Sequence, residues 1–101
     1  MTGRVRQPAV YIMASGRNGT LYCGVTSDLV QRVWQHREGM IDGFTKRYRC
    51  KLLVWYEMVE TMEAAIGREK QIKGGSRMKK LALIDTLNPV WRDLYADVTI
   101  G

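Results

Sequence analysis

Five side chains in this 101-residue chain stand out by type and placement as groups that could do chemistry: Tyr11, Tyr22, Arg32, His36 and Glu69. Phenols and an imidazole can move a proton, a guanidinium presents a planar fork that matches an oxyanion, and a carboxylate can hold a cation. Together they could handle protons and a bound anion, provided the fold brings them together.

Glu69 is the residue that breaks its local pattern. On a helical wheel Met62, Ala65, Ile66, Glu69 and Ile72 form one stripe, with the carboxylate in its middle. A carboxylate on a core-facing stripe is costly to desolvate unless it is paired or coordinates a cation. Compensation by a metal ion, by Arg32 or by a basic residue from 46–51 is therefore expected. The plain alternative is a structural salt bridge at a helix edge, or a side chain bent out to solvent.

The elements that must position these groups are legible from turn and cap signals. The tyrosines sit in two clusters, Ala9-Val10-Tyr11 and Tyr22-Cys23-Gly24, separated by the turn formers Ser15-Gly16-Arg17-Asn18-Gly19. They predict facing strands, 9–14 and 20–25, of a β-hairpin. A turn centred between Gly16 and Arg17 would set Tyr11 opposite Tyr22. One centred on Asn18-Gly19 would offset them but leave both phenols on one face, because side chains alternate with period two. Thr26, Ser27 and Asp28 offer caps to a helix over 28–38, closed by Gly39. On that helix Leu29, Val30, Val33 and Trp34 can face a core, whereas Asp28, Arg32 and His36 fall along a more polar flank.

After a loop over 39–43, a basic stretch leads into a strand at 50–58, whose continuous apolar centre calls for cover on both faces. Thr61 caps a helix over 62–73 that Gly74-Gly75 ends, and Ser76 caps another over 77–87 ahead of Asn88-Pro89. Trp34, Trp55, Tyr56 and Trp91 are assigned to the core. The order β-β-α-β-α-α predicts a small single-domain α/β fold, a three-stranded and mainly antiparallel sheet flanked by helices. Residues 1–7 read as a flexible basic tail, 8–87 as the domain, and 88–101 as a tail whose apolar residues, beginning with Val90 and Trp91, dock it on the domain.

Bulk properties narrow the partner class. The chain is too short for a second lobe or a buried cofactor site. No apolar run approaches the roughly 18 residues of a membrane helix and no signal-peptide core is present, so a cytoplasmic protein with no membrane partner is expected. Cys23 and Cys50, with a single histidine, cannot build the usual four-ligand zinc site and read as buried free thiols. The net charge of +6 is clustered: no acid occurs from Phe44 to Tyr56, which holds Lys46, Arg47, Arg49 and Lys51. A second group comprises Arg68, Lys70, Lys73, Arg77, Lys79 and Lys80. Such clusters, interleaved with Tyr48, suit a polyanion such as nucleic acid, since neutralised phosphates release counterions. A solvated basic face is the bland reading of the same charges.

The ordered set of Ala9-Val10-Tyr11, Tyr22-Cys23-Gly24, Arg32 and His36 on one helix and Glu69 on a later one resembles the GIY-YIG nuclease domain. The likeness is to its small stand-alone bacterial members, related to the catalytic domain of the excision-repair incision subunit. It runs from residue 8 to about residue 84, and Asn88-Pro89 with Trp91, Asp93 and Leu94 is similar to the tail of some of those members. Ala9 stands where the first motif has glycine, and Val10 and Cys23 where the two motifs have isoleucine. With Gly24 these are taken as structural positions, Gly24 serving backbone geometry alone.

The resemblance implies phosphodiester hydrolysis, which needs an activated water, neutralisation of the charge that builds on phosphorus and help for the departing oxygen, and it implies a role for each residue. Tyr11 is the favoured general base and Tyr22 positions water or substrate, although the sequence does not rank them. A free phenol has a pKa of about 10, so a cation such as Arg32 or Lys46 would have to stabilise the phenolate. Arg32 would clamp the scissile phosphate, and His36 would share the proton relay, contact phosphate, or simply be a polar flank residue. Glu69 would hold one divalent cation, Mg²⁺ or Mn²⁺. Lys46, Arg47, Tyr48, Arg49 and Lys73 would bind nucleic acid, with Tyr48 able to stack on a base. The expectation is a metal-dependent endonuclease acting on DNA, with RNA as the other substrate, directed by structure or lesion in repair or nucleic-acid processing. The alternative is an inactive nucleic-acid-binding module of the same fold. Without a targeting domain such a nuclease would borrow targeting through a homodimer or a repair-complex partner.

Overall fold

A computed structural model describes residues 7–100 of the chain. Its elements are β1 (Ala9–Ala14), β2 (Leu21–Thr26), α1 (Leu29–Arg37), α2 (Phe44–Arg47), β3 (Leu52–Met58), α3 (Met62–Lys73), α4 (Arg77–Leu87) and α5 (Tyr95–Ile100). The strands form one antiparallel sheet in the order β2-β1-β3. This is the expected α/β domain with two short helices added. The four residues of α2 are too few for periodicity to reveal, and α5 lies in the docked tail.

β1 is the centre of the molecule, and every residue in it is buried. Val10, Ile12 and Ala14 point to one face, where they pack with Ile72 of α3, Ile84 of α4 and Trp91. Ala9, Tyr11 and Met13 point to the other, against Leu29 and Val33 of α1 and Leu94 of the tail. Burying each large apolar side chain here contributes about 2 kcal/mol, and Ile12→Ala would cost about 2–5 kcal/mol by opening a cavity under α3 and α4. On the β3 side Ile12 pairs with Trp55 and Met13 with Leu53, so Val54 bulges out of register. Val54 and Trp55 consequently join the same core.

The hairpin register falls between the two expected ones. Tyr11 pairs with Gly24 and Met13 with Tyr22, which centres the turn between Arg17 and Asn18. The Thr20 amide donates to Ser15 Oγ at 2.9 Å, the Gly19 amide to the Gly16 carbonyl at 2.9 Å, and Asn18 adopts φ +57. Both tyrosines therefore share a face as diagonal neighbours.

Side-chain caps start the three longer helices. Asp28 Oδ1 accepts from the Gln31 amide at 3.2 Å, Thr61 Oγ1 from Ala64 at 3.0 Å and Ser76 Oγ from Lys79 at 3.3 Å. Gly39, at φ +68, closes α1. Trp34 departs from its core assignment, lying 43% exposed on the outer side of α1, whereas Trp55 and Trp91 are buried.

The expected tail 1–7 lies outside the described residues except for Gln7, whose Nε2 donates to the Val59 carbonyl at 3.3 Å. At the other end Leu94 donates its amide to the Leu53 carbonyl at 2.8 Å, and Asp93 Oδ1 accepts the Leu53 amide at 3.2 Å. Asp93 also pairs with Arg37, whose guanidinium lies 4.6 Å over the Tyr95 ring. The C-terminal segment thus ties β3 to the end of α1. Among the described residues no helix is long and apolar enough to cross a membrane.

Candidate active site

Period-two alternation on β1 turns Tyr11 toward α1, and there its phenol lies across Gly24 of β2. A Cβ on Gly24 would stand 2.7 Å from Tyr11 Oη, 2.8 Å from its Cζ and 2.9 Å from Tyr22 Cε2. Gly24 therefore does more than shape the strand: its missing side chain is the space the phenol occupies. Tyr11 is wholly buried.

His36 is the partner of that phenol. Oη and Nε2 share a hydrogen bond of 2.8 Å, and Nδ1 shares one of 2.9 Å with Thr45 Oγ1 on α2. His36 and Thr45 are both buried, which corrects the reading of His36 as a flank residue. The last turn of α1 points it inward, and α2 covers it. Burial, and then the charge of Arg32, lower the imidazole to about 4, so it is neutral near pH 7.

The phenol also departs from expectation. Burial is the largest influence on Tyr11, with Tyr22 adding to it, and together they raise its pKa well above the ordinary phenol value despite the positive charge of Arg32. No standing phenolate exists near neutrality. Arg32, on the same helix as His36, places its positive charge on the phenol. The phenol's hydrogen bond to His36, and that of His36 to Thr45, join three buried polar groups in one chain. No buried side-chain nitrogen or oxygen among the described residues lacks a partner.

Tyr22, on the edge strand β2 and partly exposed, connects this pocket to the outside. Its ring centroid is 6.3 Å from Tyr11, 5.6 Å from His36 and 6.1 Å from Phe44, and Lys73 Nζ lies 5.8 Å from it. Lys73 comes from α3, on the opposite face of the sheet. Its ammonium meets Glu69 Oε2 at 3.1 Å. Burial opposes charge on Lys73, but the hydrogen bond and charge of Glu69 prevail and raise its pKa. The compensator of Glu69 is thus Lys73, one turn along its own helix, rather than Arg32 or residues 46–51. Cys23, facing α3, is pushed up to about 11 by burial and then by the Glu69 charge. The two halves of the site meet around the β2 edge.

No group of three or more His, Cys, Asp or Glu side chains that could hold a metal exists among the described residues. A lone, partly accessible carboxylate nevertheless fits a hard cation such as Mg²⁺, which keeps much of its water and takes further oxygens from substrate phosphate.

A model of the GIY-YIG catalytic domain matches residues 7–82. The chain belongs to the GIY-YIG family. GIY-YIG domains are nucleases broadly, and they generally use divalent metal ions. Among curated proteins, UPF0213 protein SSP2268 of Staphylococcus saprophyticus is 40% identical over 75 residues, 74% of this chain and 90% of the relative. UPF0213 protein SA0446 of Staphylococcus aureus is 43% identical over the same lengths and shares. No solved structure matches the chain significantly.

Within this GIY-YIG domain Ala9, Val10 and Cys23 are buried in the sheet, and Ala9 is not among the residues with positive φ. Lys46 and Arg47 lie on α2, with Tyr48 and Arg49 directly after it, all exposed. Lys46, Arg47 and Tyr48 border a depression of about 610 Å³ that Asp42, Gly43 and Phe44 also line. Phe44 and Tyr48 pair at 4.7 Å. Thr45 and Phe44 are the site residues that sequence reasoning missed. The only signal for them is their position one loop after His36 inside the basic stretch.

Proposed function

We propose that this GIY-YIG protein is a metal-dependent endonuclease that cuts DNA phosphodiesters. The observation that carries the reading is the buried chain from Tyr11 through His36 to Thr45, with Arg32 on the phenol and Glu69 across the β2 edge. Arg32 is partly exposed and its charge acts on the phenol, so an anion drawn to its guanidinium is brought toward that oxygen. As water attacks phosphorus, Tyr11 Oη takes the water proton while its own proton passes to Nε2 of the neutral His36. Thr45, accepting from Nδ1–H, holds the ring in the tautomer that leaves Nε2 free to accept. Tyr22 lines the entrance and orients water or the phosphate.

Glu69 would hold the cation, Mg²⁺ or Mn²⁺, which when bound supplies positive charge to the phosphate and the leaving oxygen. Lys73, displaced from Glu69, is placed to meet the substrate. On the α2 side, Lys46, Arg47 and Arg49 offer phosphate contacts and the Phe44–Tyr48 pair an aromatic shelf. Backbone and shelf contacts favour recognition by structure or lesion over base sequence, which fits a role in repair.

The test is nicking of supercoiled plasmid and of branched, nicked and single-stranded oligonucleotides, with and without Mg²⁺ or Mn²⁺. Tyr11→Phe and Glu69→Ala should each abolish cleavage while nucleic-acid binding survives. Undiminished cleavage in both variants would remove the assignment, and binding by the wild type without nicking would make the protein a binding module.

A further inference from the structure

The face opposite Tyr11 carries a second basic surface. No acid occurs between residues 70 and 84, a stretch that holds Lys70, Lys73, Arg77, Lys79 and Lys80. Gly74 and Gly75 turn α3 into α4 so tightly that a Cβ on Gly75 would come within 3.2 Å of Lys79 Cδ, placing the Lys79 stem against the turn. The helices enclose a groove of about 250 Å³ lined by Ile72, Leu83, Arg68, Gln71, Lys79 and Lys80.

The cations of this region divide into two kinds. Arg68 is held by Glu57 at 3.0 Å and Gln71 at 2.6 Å. Arg77 donates to the Asn18 and Gly19 carbonyls at 3.0 and 2.8 Å, which staples the hairpin turn to the start of α4. Among the described residues Lys70, Lys79 and Lys80 make no ion pair. The arginines are thus fixed by protein partners, whereas these lysines are left uncompensated. Ile72 and Leu83, which line the groove, pack into the same core as Cys23 of β2, so the groove abuts the strand that carries Tyr22.

We propose that this groove is a second phosphate-backbone site, in which a polynucleotide leaving the active site over the β2 edge passes Lys73 and lays its next phosphates against Lys79 and Lys80. The apolar floor of Ile72 and Leu83 takes the sugar faces between them. The ligand is a continuous nucleic-acid backbone, because the lysines gain from it by releasing its counterions. Identifying that backbone as the substrate strand rests on the nuclease reading; the binding itself does not.

Binding of a fluorescein-labelled nicked duplex is followed by anisotropy in EDTA across a salt series, so that no cleavage enters the result. The Lys79→Gln, Lys80→Gln double variant should lower the slope of log affinity against log salt by about 2, at roughly 0.9 per duplex phosphate contact, and weaken binding about tenfold or more at low salt. The Lys79→Arg, Lys80→Arg pair should restore both, and Arg92→Gln, on the tail, should leave the slope unchanged. An unchanged slope in the glutamine pair, or equal flattening by Arg92→Gln, overturns the proposal. Loss of nicking with an intact groove effect would instead sink the nuclease reading alone.

Discussion

The two halves of the candidate site are built on opposite principles. Tyr11, His36 and Thr45 lie in the interior, fully hydrogen-bonded to one another and covered by α1 and α2. Glu69 and Lys73 meet at the rim of α3, where the Lys73 side chain is 50% exposed. In the low-dielectric interior a polar chain is stiff and costly to break, whereas an exposed ion pair is worth little and exchanges readily. The interior half is suited to fixing a proton path. The rim half is suited to letting one cation replace another.

That contrast can be broken most decisively by comparing Tyr11→Phe with Glu69→Ala. Each should lower cleavage by about a thousandfold in a nicking assay, but their stabilities should part company. Removing the phenol leaves His36 Nε2 buried without its partner and should cost about 1–3 kcal/mol, against about 0–1 kcal/mol for the rim pair. Equal losses in urea titrations would mean the halves are not different in kind.

Acid should act on the interior half next. His36 is lowered to about 4 in the fold and returns to about 6.5 on unfolding. Between these values the unfolded chain binds more protons, so the contribution is fully present above 6.5 and is lost as pH falls toward 4. The loss is on the order of 3 kcal/mol. Urea midpoints across this window should fall in the wild type more than in His36→Gln, and parallel curves would contradict a buried neutral imidazole.

Gly24→Ala sharpens the comparison from the steric side. The added carbon meets Tyr11 and should destabilise by about 2 kcal/mol while displacing the phenol. Gly16→Ala, with nothing near its Cβ, should move the melting curve far less. The smallest effect belongs to Lys73→Met, which takes the partner from a largely covered Glu69 carboxylate and should cost about 1 kcal/mol or less. A larger drop would show that the rim pair is structural.

Much of this architecture is written locally and can be read from sequence. The strands, the three capped helices and the apolar faces of β1 depend on near neighbours and on period, so residue types reveal them. The hairpin register depends on how Ser15, Asn18 and Gly19 bond around the turn, which residue types alone leave open. The burial of His36 escapes a wheel drawn for α1, because that wheel sees only α1 and the cover over His36 is a four-residue helix with no periodic signature. Glu69 stands out in the sequence as a carboxylate needing compensation. Its compensator does not, because the positive charge of Lys73 suits a nucleic-acid contact equally well.

The burial of β1 also sets an order of events in time. Amides on a fully covered central strand exchange with solvent only through the largest openings of a protein, whereas edge strands and rims fray in smaller ones. Tyr11 rides on that central strand and Tyr22 on an edge. Openings that free the β2 edge and the end of α3 should therefore be commoner than those that break the hydrogen-bonded core of the site, an order that amide exchange would read.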